Sequence, residues 1–78
     1  MMQKLLIVDD EKWIRRGLSI KLQELGYQFE EILEAKNGME ALEIIEKDLP
    51  KLVITDIRMP KMTGIDLIRE GIKMLFVF

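Results

Sequence analysis

Two short apolar runs, each followed by aspartate, restrict the fold of this chain more than any other feature of its sequence. The first covers residues 5–8 and precedes Asp9 and Asp10; the second is Leu52–Thr55 and precedes Asp56. Uninterrupted apolar runs of this length are typical of strands buried on both faces of a parallel sheet. The sequence therefore predicts two central strands that end in carboxylates.

Amphipathic helices are predicted between these strands. Apolar side chains recur at helical spacing over residues 12–25, and Gly26 ends the pattern. A second helical pattern covers residues 39–47 and stops before Pro50, which cannot continue a helix. Each apolar run is thus followed or preceded by a helix, as in βαβ units.

The remaining elements are shorter. Residues 30–35 favour a strand near the sheet edge, and a third helical pattern begins at Ile65. The apolar segment 72–78 predicts a fourth strand, with a helical or disordered tail as the alternative. Strands alternating with helices imply a parallel sheet with right-handed crossovers, so the fold class is α/β.

Composition excludes several classes of function. The 78 residues contain no cysteine and no histidine, which removes disulfides, thiolate nucleophiles, imidazole bases and zinc sites with sulfur or nitrogen ligands. A net charge of −2 provides no general basic field for nucleic acid, so this chain is not expected to bind DNA or RNA. No apolar stretch approaches the roughly 20 residues that span a bilayer, and no secretory signal is visible. We expect a cytoplasmic protein without a membrane role.

The three strand-ending aspartates are the candidate functional residues. The carboxyl ends of parallel strands lie at one edge of a sheet, so Asp9, Asp10 and Asp56 can converge there. Clustered carboxylates repel one another unless they are protonated or neutralised, and a hard divalent cation bound through oxygen removes that conflict. Mg²⁺ is the natural candidate. The first helix begins just after Asp10, and its N-terminal amides would favour an anion such as a phosphoryl group.

Each feature also has an ordinary structural interpretation. An Asp-Asp pair after a strand is more often a turn or a helix cap, and Asp56 could be a turn residue. Lys61 could pair with the acidic site, but a loop lysine is usually solvated, and we favour that interpretation. Trp13 could pack on the core or lie on the surface. The acidic residues Glu30, Glu31 and Glu34 are interpreted as an exposed strand face.

Glycine-rich phosphate loops are absent, which disfavours a dinucleotide-binding domain or an NTPase. Three blocks nevertheless resemble the receiver domain of two-component response regulators: LIVDDE at 6–11, AKNGMEAL at 35–42 and LVITDIRMPKMTG at 52–64. The resemblance implies a flavodoxin-like parallel sheet of order 2-1-3-4. The segment after Asp10 more weakly resembles regulators that carry an AraC-type DNA-binding output domain.

The resemblance also implies roles for individual residues. Asp56 would be the phosphoacceptor, receiving a phosphoryl group from a histidine kinase. Asp10 and Asp56 would bind Mg²⁺ directly, Asp9 would act through water, and the backbone carbonyl of Arg58 would complete the protein ligands. Such a domain is a signalling module and not an enzyme.

The chain departs from the family after its fourth strand. A full receiver continues with a switch Ser or Thr, a helix, a fifth strand ending in lysine, and a last helix, and residues 1–78 contain none of these. We therefore expect one truncated receiver domain with an uncovered sheet face, which favours a homodimer or higher oligomer. The alternative function is a phosphorylation-incompetent, self-associating interaction module or fragment.

Overall fold

The computed structural model describes residues 3–55 and the backbone of residues 74–77. Four strands and two helices lie in these ranges, each close to its predicted position. The loop predicted from Arg58 and the helix predicted from Ile65 lie outside the described residues. In chain order the elements are β1 (Lys4–Val8), α1 (Lys12–Glu24), β2 (Glu31–Ala35), α2 (Gly38–Asp48), β3 (Leu52–Thr55) and β4 (Met74–Val77).

The described strands form one parallel sheet of order β2-β1-β3-β4. β1 is central and pairs on both sides, so that Val8 lies opposite Ala35 of β2 and Thr55 of β3. The α/β class and the strand order expected from the resemblance are confirmed. Because β1 and β3 are adjacent although two helices and a strand separate them in sequence, the chain changes direction across the sheet between them.

The hydrophobic core lies between the sheet and α2. Side chains alternate between the two faces of a strand, and Leu6, Val8 and Val53 all point to the α2 side. There they form a buried cluster with Ala35 and with Ala41 and Ile45 of α2. Burying one large aliphatic side chain contributes about 1.5–3 kcal/mol, so this face supplies a large part of the stability.

The opposite face of the sheet is covered less completely. Leu5 and Ile7 of β1 are fully buried on that side, yet α1 has no buried residue of its own. Beside α1 lies an apolar groove of about 360 Å³ whose lining residues come from the end of α1, the following loop and β3: Leu22, Leu25, Tyr27, Phe29, Leu52 and Ile54. In this groove Leu25 is 63% exposed and Tyr27 is 59% exposed.

The two helices also begin differently. The Asn37 side chain caps α2 by accepting a hydrogen bond from the amide of Glu40 (2.9 Å), and the Glu40 carboxylate accepts one from the amide of Lys36 (3.0 Å). The residue at the same position before α1 is Glu11, whose side chain makes no capping bond. The start of α1 is instead held by contacts with the loop before it, which belong to the candidate site.

Candidate acidic site at the carboxyl edge of the sheet

The site begins where β1 ends. Val8 is the last residue of β1, and Asp9 and Asp10 follow it directly. In the neighbouring strand Thr55 lies opposite Val8 and is the last residue of β3. Two strand ends therefore lie side by side at the same edge of the sheet. Asp56 and Arg58, the other two residues that the resemblance implies for the site, lie outside the described residues.

Asp9 is buried, with 3% of its surface exposed, and it is held at three points. Its amide donates to the carbonyl of Ala35 in β2 (3.0 Å), and its Oδ1 accepts from the amide of Glu11 (2.8 Å). Its carbonyl oxygen accepts from Nη1 of Arg15 (2.7 Å). A carboxylate that satisfies a backbone amide in this way also closes a tight turn between strand and helix.

Asp10 has the opposite environment. It is exposed, and its carboxylate makes no hydrogen bond or ion pair with the rest of the described chain. Its position is nevertheless fixed, because the hydrogen bonds of Asp9 and Glu11 constrain the backbone on both sides of it. The pair thus combines one oriented, buried carboxylate with one that is accessible to a ligand.

The donor chemistry of the pair suits a hard cation. Mg²⁺ prefers oxygen ligands and is usually bound through one or two carboxylates together with water and a phosphate oxygen. Within residues 3–55 no group of three potential metal ligands comes together, so the described part of the site contributes the two carboxylates only. They fit Mg²⁺, and soft metals have no preferred ligand in a chain without cysteine or histidine.

The start of α1 contributes a favourable field. Its first residue is Lys12, two positions after Asp10, and no acidic residue occupies its first turn. No acidic side chain within the first turn offsets the partial positive charge at this helix end, although the carboxylates of Asp9, Asp10 and Glu11 directly precede it. An anion that approaches the acidic pair together with a cation would meet this end of α1.

Sequence reasoning missed Arg15 and the ion pair that it makes with Glu34. Arg15 was only a polar position in an amphipathic pattern, but its Nε donates to Oε1 of Glu34 (2.9 Å) while Nη1 reaches Asp9. Glu34 lies opposite Ile7 in the register, on the sheet face next to α1. Its partner could be found only after the register of β2 was known. Glu30, Glu31 and Glu34 are exposed as predicted, and Trp13 is a surface residue with 78% exposure.

Neither helix in the described part of the chain has the length and apolar character needed to cross a membrane. The family model of the response regulator receiver domain matches residues 5–73. The transcriptional regulatory protein HptR of Staphylococcus aureus is 48% identical over 69 residues, which cover 88% of this chain and 27% of HptR. A response regulatory protein of Staphylococcus epidermidis matches equally well, at 48% identity over 88% of this chain and 28% of its own length.

Solved structures agree with these relatives. A two-component transcriptional regulator AraC from Clostridium phytofermentans superposes with a TM-score of 0.82 at 35% identity, over 96% of this chain and 62% of the other. The chemotaxis response regulator CheY4 of Vibrio cholerae superposes with a TM-score of 0.69 at 39% identity, over 88% of this chain and 55% of CheY4. The chain spans about a quarter of the length of the curated relatives that it matches.

Proposed function

This chain belongs to the response regulator receiver domain family of two-component systems, and from that premise we propose that it accepts a phosphoryl group on Asp56 from a histidine kinase. The observation that carries the proposal is the acidic pair at the end of β1. Asp9 is buried and held at three points, Asp10 is exposed beside it, and the adjacent strand β3 ends at the same level. Asp56 is the next residue after β3.

The transfer itself is a substitution at phosphorus. A carboxylate oxygen of Asp56 forms the new bond to phosphorus, and the bond from phosphorus to the histidine nitrogen of the kinase breaks. The product is an aspartyl phosphate, and the released imidazole takes up a proton. The domain thereby receives and holds a signal and is not an enzyme in its own right.

We assign the metal site to Asp10 and Asp56 as direct ligands, Asp9 through water, and the backbone carbonyl of Arg58. A bound Mg²⁺ would neutralise the negative charge of the carboxylates and the phosphoryl oxygens. The chain's own contribution is to keep Asp9 buried and oriented and to leave Asp10 accessible. The backbone amides at the start of α1 add to the attraction for the phosphoryl group.

The wider role follows from the relatives. HptR and the Clostridium regulator are transcriptional regulators, and the second is described as an AraC regulator. We propose that residues 1–78 act as receiver sequence of a cytoplasmic regulator of this kind, with DNA binding carried by a separate AraC-type domain and not by this chain. Its net charge of −2 agrees with that division of labour.

Incubation with acetyl phosphate and Mg²⁺, followed by intact-mass measurement, tests the phosphoacceptor proposal. We expect an increment of one phosphoryl group in the wild type and none in Asp56→Asn. Asp48→Asn, which removes a carboxylate that lies 3.8 Å from Lys4 at the amino end of β1, should retain the increment. A wild type that gains no phosphoryl group, or an Asp56→Asn variant that gains as much, would overturn the proposal.

A second property, self-association, is favoured by the apolar groove beside α1. The exposed side chains of Leu25 and Tyr27 continue an apolar surface that includes Leu52 and Ile54 of β3. A second copy of this chain brings the same surface, so a two-fold pairing of grooves would bury apolar area on both sides. We propose a homodimer formed through this face.

Light scattering on the purified chain tests the homodimer. We expect a dimer mass for the wild type and a monomer mass for Leu25→Glu, because a carboxylate placed in the groove opposes burial. The matched control is Ile20→Glu, which adds the same charge to an exposed position of α1 that does not line the groove. A monomeric wild type at high concentration, or an equal effect of both variants, would contradict the proposed interface.

A further inference from the structure

Arg15 connects three elements around the acidic pair. It projects from the first turns of α1, and 14% of its side chain is exposed. One nitrogen, Nη1, donates to the carbonyl oxygen of Asp9 at 2.7 Å. Another, Nε, donates to Oε1 of Glu34 in β2 at 2.9 Å. The three residues therefore link the end of β1 to α1 and to the neighbouring strand.

The bond to the carbonyl of Asp9 acts on Asp10. A peptide unit is planar, so fixing the carbonyl oxygen of Asp9 also fixes the amide nitrogen and the Cα of Asp10. The same loop is held from the other side by the amide of Glu11, which donates to the Asp9 carboxylate at 2.8 Å. Together the two bonds determine where the carboxylate of Asp10 can lie.

Glu34 makes this arrangement rigid. A planar guanidinium with donors in a fixed geometry can satisfy a carbonyl and a carboxylate at once, and holding one donor restricts the other. Glu34 lies opposite Ile7 in the register, which places it on the sheet face where α1 packs. Arg15 is thus held in one position by a side chain from a different strand, and not only by its own helix.

We propose that Arg15, braced by Glu34, is a positioning residue that sets the geometry of the Asp9–Asp10 pair for a divalent cation. The inference rests on the proposed function, because that function supplies the cation. Arg15 does not touch the cation and acts only through the peptide of Asp9. Residues that orient metal ligands in this way commonly change metal affinity by 10–100-fold when they are replaced.

The direction of the change in Mg²⁺ affinity distinguishes a positioning role of Arg15 from a purely electrostatic one. Arg15→Lys keeps the positive charge but loses the forked geometry. If only charge matters, Mg²⁺ affinity stays unchanged in Arg15→Lys and rises in Arg15→Gln, because a positive charge near the cation is removed. If Arg15 positions the pair, Mg²⁺ affinity falls in both variants, by about 10-fold.

The chain offers both a reporter and a matched control. Trp13 is the only tryptophan and lies exposed in the first turn of α1, close in sequence to the acidic pair, so its fluorescence can follow a titration with MgCl₂. Arg16 is exposed on the same helix, and its side chain makes no hydrogen bond or ion pair with the described part of the chain. Arg16→Lys should therefore leave Mg²⁺ affinity within about twofold of wild type.

Glu34 supplies an independent test. Glu34→Gln should weaken Mg²⁺ binding, as Arg15→Lys does, but by a smaller factor. Arg15 remains in this variant and loses only its ion pair with residue 34. The double variant should bind Mg²⁺ no more weakly than Arg15→Lys alone, since Glu34 acts only through Arg15. Independent, multiplying effects of the two substitutions would contradict the proposal. If Arg15→Lys does not fold by circular dichroism, hydrogen exchange of the Glu11 amide in Glu34→Gln decides the matter, because losing a carboxylate weakens Mg²⁺ binding by charge alone.

Hydrogen exchange provides a readout without metal. The amide of Glu11 is protected by its bond to the Asp9 carboxylate, and we expect it to exchange about 10-fold faster in Arg15→Lys than in wild type. If the wild type binds no Mg²⁺ and Asp56 takes no phosphoryl group, the proposed function fails, and the exchange rate alone decides whether Arg15 positions the loop. Unchanged Mg²⁺ affinity and unchanged exchange in Arg15→Lys would overturn the inference.

Discussion

The two helices of the described chain cover opposite faces of one sheet, but different interactions hold them there. α2 buries Ala41 and Ile45 in the main apolar cluster. α1 is two residues longer than α2 and has no buried residue. Its contacts with the sheet and the adjoining loop include the hydrogen bonds of Arg15 to Asp9 and Glu34. The difference indicates that α2 mainly stabilises the fold, whereas α1 mainly orders the acidic edge.

This division has a physical basis in the strands. Leu6, Val8 and Val53, which face α2, are completely buried. On the α1 face Leu5 and Ile7 of β1 are also fully buried, but Leu52 and Ile54 of β3 remain partly exposed. Apolar burial is the main source of folding free energy, so the α2 face contributes more of it. Because α1 has no buried residue of its own, its side chains can instead form hydrogen bonds that order the loop before it.

Two isoleucine substitutions test the comparison between α1 and α2, and one of them has the largest effect that we expect. Ile45 is 3% exposed in α2, and Ile20 is 56% exposed in α1. Ile45→Ala should lower the free energy of unfolding by about 2–4 kcal/mol, because it removes buried methyl groups and leaves a cavity. Ile20→Ala should change it by less than about 0.5 kcal/mol, since alanine has the higher helix propensity and little burial is lost.

Urea unfolding at low protein concentration, followed by circular dichroism, measures both variants. The two substitutions remove the same atoms from a helix, so the difference between them reports burial alone. A loss at Ile20 as large as that at Ile45 would show that the outer surface of α1 is covered in solution, and the contrast between the two helices would not stand.

The helix starts allow a second, smaller test. Asn37→Ala removes the side chain that accepts the Glu40 amide and should lower the free energy of unfolding by about 1 kcal/mol. Glu11 makes no side-chain cap at the start of α1, so Glu11→Ala should be close to neutral. Asn37→Asp, which keeps an accepting oxygen, serves as the control. Thermal unfolding of the three variants gives the ranking, and equal losses at Asn37 and Glu11 would contradict it.

More of the fold than of the candidate site could be predicted from the sequence. Continuous apolar runs and helical spacing are local signals, so β1, β3 and both described helices could be placed without knowledge of the register. The Arg15–Glu34 bond joins residues 19 positions apart on different elements, and it depends on which face of β2 meets α1. Only the pairing of the strands determines that face, because a shift of one residue would turn Glu34 away.

The same limit explains the interpretation of the acidic residues. Glu30, Glu31 and Glu34 are alike as residue types, and composition alone assigns them all to a solvated face, where all three are exposed. The register separates them, because Glu34 lies opposite the fully buried Ile7 and receives Arg15, whereas Glu31 lies opposite the partly exposed Lys4.

The helix ends provide the smallest test of the comparison. The chain leaves α1 through Gly26 at φ +92°, a conformation that favours glycine, whereas Leu49 adopts a similar left-handed conformation (φ 53°) at the end of α2. A residue with a Cβ pays roughly 1–2 kcal/mol in this region, partly offset by the greater entropy that glycine loses on folding. Leu49→Gly should therefore raise the free energy of unfolding by about 0.5 kcal/mol, and Gly26→Ala should lower it by about 1 kcal/mol.

Urea unfolding of these two variants completes the comparison. Leu49 is 70% exposed, so its replacement removes little packing, and a Cβ at Gly26 would meet no atom within 4 Å, so backbone conformation alone decides both results. A destabilised Leu49→Gly would mean that the leucine side chain contributes contacts that outweigh its backbone strain. Since α2 carries the larger core, it can tolerate that strain at its end, while α1, with no buried residue, ends in a glycine that avoids it.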